Sequence, residues 1–317
     1  MLVQVALGGS QTSAAFAQAG ASQAAPEIFA PGIISVGWVD TYDPTFTPDG
    51  RTVYYTMNIP GGDYAIAESH LRAGRWQQPR VSAFSTMHGD AEPFISPDGR
   101  SLFFASRRPR TGTQKRGDFD IWVVDRVGRA WSAPRLVPGV NSDAYELQPS
   151  VSRDGTLYFV RFANGDSDIW RARRDGDGYA QPEKLPPVIN SDRHEESVYV
   201  SPDESYILFD ARRAGGLGGS DIYVSYRQGP SWSEPLNLGA KVNSPVNEGS
   251  VTLSPNGQWL YLSSQRRFPR ESGSGFNLTY DAIRHFVTSP GNGRTHILRY
   301  RLSGTPAARA LMSLGAR

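Results

Sequence analysis

The sequence predicts an all-β fold: a five-bladed β-propeller of four-stranded antiparallel blades, its ring closed by the N-terminal strand. Three observations predict it. One four-residue turn recurs five times, as Thr47-Pro48-Asp49-Gly50, Ser96-Pro97-Asp98-Gly99, Ser152-Arg153-Asp154-Gly155, Ser201-Pro202-Asp203-Glu204 and Ser254-Pro255-Asn256-Gly257. The first residues of these turns are 49, 56, 49 and 53 apart (96−47, 152−96, 201−152, 254−201). A second register rides on the first, because Asp120 precedes Trp131, Asp168 precedes Tyr179 and Asp221 precedes Trp232 by 11 residues each. Periods of roughly 40–50 residues built of short strands mark propeller blades. The third observation is that the two chain ends are complementary. The segment PEIFAPGIIS (26–35) matches the outer strand and exit of the second repeat, PRLVPGVNS, while the last repeat has three strands and lacks an outer one. Pairing them closes the ring and removes a sheet edge.

The clearest repeat, 91–134, shows why the elements form. EPFIS and SLFFAS are short apolar runs bounded by turn residues, as buried strands are. Between them Pro97 presets φ, Asp98 caps its own backbone and Gly99 accepts positive φ. DIWVVDR follows as a third strand, and outer strands begin near Pro79, Pro134, Pro182 and Pro235. The stretches SPDGRSLFFASRR, SDIYVSYRQGPSWSEPLNLG and VNSPVNEGSVTLSPNG resemble the WD40-like Pro-Asp repeats of TolB-like β-propellers. The resemblance runs from about Pro26 to Gly304, and it is specific for fold and weak for function.

The domain reading is a signal-like or disordered segment over 1–25, one propeller over 26–304, and a flexible tail over 305–317. Segment 1–25 is Ala-rich and offers an Ala17-Gln18-Ala19 site of the A-x-A kind, without a basic n-region. It carries the expectation of a periplasmic or secreted protein. No 18-residue apolar run exists to span a membrane. With 33 basic and 31 acidic residues, a net charge of +2, nothing points to nucleic acid. There are no cysteines, which excludes disulfides and thiolate metal sites.

Strands running up and down put the Pro-Asp-Gly turns and aromatic corners on one face, the turn face. The other, polar face receives the loops entering each first strand and leaving each second. Asp90, Glu146, Glu195 and Glu248 stand six residues before their turns, and Ser85, Asn141, Asn190 and Asn243 stand eleven before. Second strands are followed by arginines, among them Arg107, Arg108, Arg161, Arg212, Arg213, Arg266 and Arg267. Two readings are open: a repeated salt-bridge and turn-capping network, or a solvent-facing polar mouth that binds a peptide, a sugar or a cation. Asp120, Asp168 and Asp221 read as anchors of the preceding loops through backbone hydrogen bonds. Trp131, Tyr179 and Trp232 read as aromatic–proline packing between blades.

Of the histidines, His70 and His296 fall in third strands. His88, His194 and His285 fall in polar-face loops, where His88 with Asp90, and His194 with Glu195 and Glu196, raise a two-histidine carboxylate metal site. The spacing does not require it. AGGLGGSD (214–221) lacks the Lys and Ser/Thr of a phosphate loop, and neither a G-x-S-x-G elbow nor HExxH occurs. No catalytic residue, metal ligand or cofactor is assigned, with a cation in the channel mouth left open. An insertion, 268–294, breaks the last repeat. Leu278, Tyr280, Ile283, Phe286 and Val287 suggest one apolar side of a short helix that docks as a lid or plug. The resemblance to TolB-like propellers implies non-catalytic recognition of a protein or peptide. The rival is an envelope enzyme, a glycan lyase or hydrolase, using His194, His88 and the acidic loops. Candidate binding residues are thus Asp90, Glu146, Glu195, Glu248, Arg108, Arg161, Arg213, Arg266, His88, His194, Tyr280 and His285.

Overall fold

A computed structural model describes residues 26–114, 116–268 and 279–302. Segment 1–25, the tail 305–317 and Leu278 lie outside the described residues, as do the side chains of Ile283 and Phe286. Five antiparallel sheets form the ring. Blade 1 runs Thr41–Phe46, Thr52–Ile59, Asp63–Arg72 and Arg80–Val81, from the inner strand outwards. Blade 2 runs Asp90–Ile95, Ser101–Ser106, Asp120–Val127 and Arg135–Leu136. Blade 3 runs Tyr145–Val151, Leu157–Ala163, Asp166–Ala172 and Glu183–Lys184. Blade 4 runs Glu195–Val200, Tyr206–Ala211, Asp221–Gln228 and Leu236–Asn237. Blade 5 takes Glu248–Leu253, Trp259–Ser264 and His296–Arg301 from the end of the chain and Glu27–Ile28 from its beginning.

The closure is as expected. Glu27 pairs with Arg299 and Ile28 with Leu298 in antiparallel register. Behind this short strand Phe29 is fully buried, its ring edge-on to Phe46 and Trp76 of blade 1 and Tyr261 of blade 5. One phenylalanine thus seals the seam between first and last blades. The remaining seams are sealed the same way, by apolar clusters that each combine two neighbouring blades. Between blades 3 and 4, for example, Tyr158, Val160 and Ile169 meet Val198, Ile207 and Phe209. Trp232 belongs to this cluster, edge-on to Tyr158, and Trp131 donates its Nε1–H to Tyr54 of the preceding blade at 3.0 Å. The aromatic corners are inter-blade packing, as the sequence suggested.

The turns form as their residues dictate. Ser96 Oγ donates to Asp98 at 2.6 Å, Asp98 accepts the Arg100 N–H at 3.0 Å, and Gly99 has φ +71°. In blade 1 the Thr47 hydroxyl and the Arg51 amide hold the Asp49 carboxyl below its ordinary range. Each inner strand breaks register after its first residues, for instance between Tyr42 and Thr45 and between Ala91 and Phe94. The bulges carry positive φ at Asp43, Glu92, Gln148 and Ser250. Such bulges re-aim a side chain out of the pleat. Here Asp43, Glu92, Gln148 and Ser250 line one narrow 20 Å³ waist of the channel.

Candidate functional site

The repeated acids are not an exposed rim. Asp90, Glu146, Glu195 and Glu248 are all fully buried, which favours the repeated salt-bridge network of the two readings over the solvent-facing mouth. The reason is that each has a complete set of partners. Glu146 accepts the Ser142 N–H at 3.0 Å, the Ser142 hydroxyl at 2.5 Å and Arg161 Nε at 2.8 Å. Glu248 repeats this with Ser244 and with Arg266 at 3.1 Å, and Glu195 with Ser191 and with Arg213 at 3.5 Å. Asp90, one methylene shorter, uses the Thr86 N–H at 2.6 Å and Arg108 Nη2 at 2.8 Å. Nη2 of each arginine also donates to a carbonyl of the connection entering that blade: Phe84, Val140, Ile189 and Val242 for Arg108, Arg161, Arg213 and Arg266. The clamp therefore ties the incoming connection to the inner strand and to the end of the second strand. Burying a carboxylate requires such pairing. Burial still pushes Glu146 up, and Glu195 up to about 7, over the lowering by Ser191 and Arg213.

A second repeated clamp sits beside the first. Asn141 accepts the Ile121 N–H at 2.7 Å and donates to the Ile121 and Val137 carbonyls. Asn190 and Asn243 do the same at Ile169 and Ile222, while Ser85 supplies only the acceptor, to Ile66 N–H. Of the three aspartates at third-strand entries, Asp221 holds its own loop through Leu217 and Gly218 N–H, as expected. Asp120 and Asp168 differ. Asp120 is held bidentately by Arg110, and Asp168 pairs with Lys184 at 2.7 Å. In blade 5 the same register position is His296, opposite Ser264, and both its ring nitrogens are buried without partners among the described residues. Burial lowers the His296 pKa.

The histidines do not assemble. His88 precedes blade 2 and His194 precedes blade 4, blades that are not neighbours in the ring. His194 stacks on Phe162 at 6.4 Å and lies 3.2 Å from Ser167 Oγ. Among the described residues no three His, Asp or Glu side chains are grouped to hold a metal ion. His285 and Tyr280 are exposed on helix Tyr280–Thr288 in the insertion. That helix docks, but by its C-terminal backbone: Gly37 N–H donates to Thr288 O at 3.1 Å and Asn292 Nδ2 to Gly37 O at 2.8 Å. A Cβ on Gly37 would lie 2.2 Å from the Thr288 carbonyl carbon, so glycine is what admits the helix. Tyr280 and Val287 face solvent, which corrects their assignment to a docking side.

What lies on the polar face inside the clamps is not repeated. From blade 1 to blade 4 an unbroken arc of rings crosses it: Tyr42 to Tyr64 (6.4 Å), Phe119 (6.1 Å), Tyr145 (6.4 Å), Phe162 (5.9 Å) and His194. Arg107 lies 4.4 Å over the Phe119 ring, with its buried Nε unpartnered. Where blades 1 and 2 place Tyr64 and Phe119, at the entry of the third strand, blades 3, 4 and 5 place Ser167, Ser220 and Thr295. The hydroxyl half opens into a pocket of about 220 Å³ lined by Gln148, Glu196, Asp210, Ser220, Asn247 and Ser263, among others. Asp210 accepts from Ser197 and, at 2.8 Å, from Ser220, and burial with the nearby Glu196 pushes it up to about 7. At the waist Gln148 joins Glu92 to Asp43, its N–H 2.7 Å from Glu92 and its Nε2 3.0 Å from Asp43. Burial and Asp43 push Glu92 up to about 8.

The turn face is less plain than expected. A funnel of about 420 Å³, lined by Phe94, Tyr199 and the turn prolines, opens at its end of the channel. A cleft of about 600 Å³ with Trp76, Trp259 and Arg299 follows the seam of blades 5 and 1. Both are lined by apolar faces and by turn residues already hydrogen-bonded within their own turns.

No protein-family model matches the chain, and no curated protein matches it in sequence. Solved structures resemble it in fold. Zg3597, a family 117 glycoside hydrolase of Zobellia galactanivorans, superposes with a TM-score of 0.50 at 14% identity, over 88% of this chain and 89% of that one. A putative TolB of Agrobacterium tumefaciens gives 0.49 at 18% identity, over 82% and 90%. TolB of Acinetobacter baumannii gives 0.47 at 17%, over 84% of this chain and 55% of that one, so this chain spans about half its length. At such identities the likeness is one of fold alone.

Proposed function

We propose that this propeller is a non-catalytic recognition module that binds a protein or peptide across its polar face. The supporting observation is the contrast inside the repeated clamps. In the aromatic arc from Tyr42 to His194, Phe162 is exposed and Tyr42, Tyr64, Tyr145 and His194 are half-buried around the buried Phe119, which leaves apolar and edge contacts on offer, and the adjoining pocket provides carboxylates and hydroxyls. A long, mixed surface at one channel mouth suits an extended ligand whose side chains alternate in character. Aromatic residues with an arginine among them are the usual anchors of such surfaces. The channel is pinched at Asp43, Glu92 and Gln148, so a ligand engages the mouth without passing through. A site outside the cytoplasm belongs to this reading through the leader-like composition of 1–25. Among the described residues no helix is long and apolar enough to cross a membrane.

The test is selection from a random dodecapeptide library on the folded chain, followed by rebinding to two variants. Tyr64→Ala with Phe162→Ala alters the arc, and Arg153→Glu alters the turn-face funnel. Selected peptides should lose at least tenfold in affinity on the first and keep it on the second. Peptides that follow the turn-face variant instead, or a failed selection alongside cleavage of an oligosaccharide panel, would overturn the proposal.

A further inference from the structure

The pocket in the hydroxyl half of the polar face has a charge pattern that specifies its occupant. Asp210 and Glu196 line it, together with the amides of Gln148 and Asn247, and among the described residues no Lys, Arg or His does, although Arg212 pairs with Glu196 from outside the lining. Asp210 is 2% exposed and has no cationic partner within ion-pair distance among the described residues, unlike the arginine-clamped Asp90, Glu146, Glu195 and Glu248. A second, independent sign comes from Ser263. It also lines the pocket, is 5% exposed, and its hydroxyl has no hydrogen-bond partner among the described residues. A buried hydroxyl without a partner is unfavourable, so an occupant that engages it is favoured.

We infer that this pocket is a subsite for a primary ammonium group, a lysine side chain or free amino terminus of the partner. The inference rests on the recognition reading above. An ammonium carries three donors around a compact charge and asks for acceptors converging from several sides. Asp210, Glu196, Ser263 and the amide carbonyl oxygens supply them. A guanidinium asks for a free carboxylate fork, and the Asp210 fork is taken, since Ser197 donates to Oδ1 and Ser220 to Oδ2. The Ser250 backbone N–H also bonds this carboxylate, which leaves one lone pair, enough for a point donor and not for a fork. Access runs past Gly249, where an added Cβ would sit 3.3 Å from the Asp210 Cγ, Oδ1 and Oδ2. Gly249 is not among the positive-φ glycines, so alanine there is an obstruction without backbone strain.

The experiment titrates Nα-acetyl-lysine amide into the isotope-labelled full chain, reading the Ser220, Gly249 and Ser263 amide resonances. Glycinamide stands for a free amino terminus, and Nα-acetyl-norleucine amide is the uncharged control. One of the two amines should shift these resonances saturably and norleucine amide should not, which also tells side chain from terminus. Asp210→Asn should weaken the response at least tenfold. Gly249→Ala should do the same while leaving Asp210 in place, which guards against a folding defect in the first variant. Equal response to norleucine amide, or saturation of the same resonances by Ca²⁺ or Mg²⁺ but by neither amine, would overturn the inference. Library peptides that bind the aromatic arc while both amines fail would sink this subsite alone. Amines that bind where no peptide does would sink the recognition reading.

Discussion

Two concentric sets of residues on the polar face behave oppositely. The outer set, Asp90 with Arg108, Glu146 with Arg161, Glu195 with Arg213 and Glu248 with Arg266, repeats at blade spacing and is buried. The inner set changes identity from blade to blade: Tyr64 and Phe119 on one side, Ser167, Ser220 and Thr295 on the other. Repetition marks what every blade needs to stand against its neighbour. A ligand meets all the blades at once and needs different groups from each, so its site lies where the period breaks. Charge alone does not separate the sets, because Glu248 and Asp210 are both buried acids. Arginine pairing does: Glu248 has Arg266, whereas Asp210 is held by the Ser197 and Ser220 hydroxyls and the Ser250 backbone, with no arginine on it among the described residues.

This contrast can be broken at four places. The largest effect is expected from removing 26–35, which takes away the outer strand of blade 5 and the Phe29 seal. The exposed edge should bring aggregation or loss of cooperative unfolding, and a deletion that melts like the parent would contradict closure by this strand. Next, Glu146→Ala strands Arg161 beside a half-sealed connection. A broken buried pair typically costs about 3–5 kcal/mol in urea unfolding, and a loss below about 1 kcal/mol would favour the solvent-facing reading of this set instead.

A smaller effect concerns pH. Glu92, Asp210 and Glu195 have folded-state pKa values raised to about 8, 7 and 7, against an ordinary carboxylate value near 4. Between those limits the folded chain holds protons that the unfolded chain has released, so stability falls as pH rises from about 5 to 8. His296, lowered by burial, acts in the opposite sense below its ordinary 6.5, one group against five, since burial also raises Asp43 and Glu146. The urea midpoint should therefore decline across this window, and Glu92→Gln should flatten the decline. A midpoint that climbs with pH would mean these acids are ionised throughout. The smallest stability effect is expected at Phe162→Ala. Phe162 is 37% exposed, and its loss should cost about 1 kcal/mol or less while abolishing arc-directed peptide binding. A larger destabilisation with binding intact would place the arc among the structural residues.

The sequence by itself determined the ring. Turn chemistry at Ser96-Pro97-Asp98-Gly99 and its four copies is local, so it is legible without neighbours. The blade count and the closure by 26–35 follow from spacing and from one missing strand, again one-dimensional facts. The Trp131, Tyr179 and Trp232 corners were equally readable. The candidate site was not. Glu146 and Glu195 look like exposed rim acids in a string of polar loop residues, because burial depends on an arginine 15 or 18 residues away folding back over them. The aromatic arc joins rings from four blades, Tyr42 to His194, and a period search discards such positions as noise because no two blades agree. A comparison of unlike residues at like register would have flagged them. Whether they touch was decided by the radius of the ring and by the bulges at Asp43, Glu92 and Gln148. Those bulges turn side chains inward by a backbone geometry that only the closed sheet enforces.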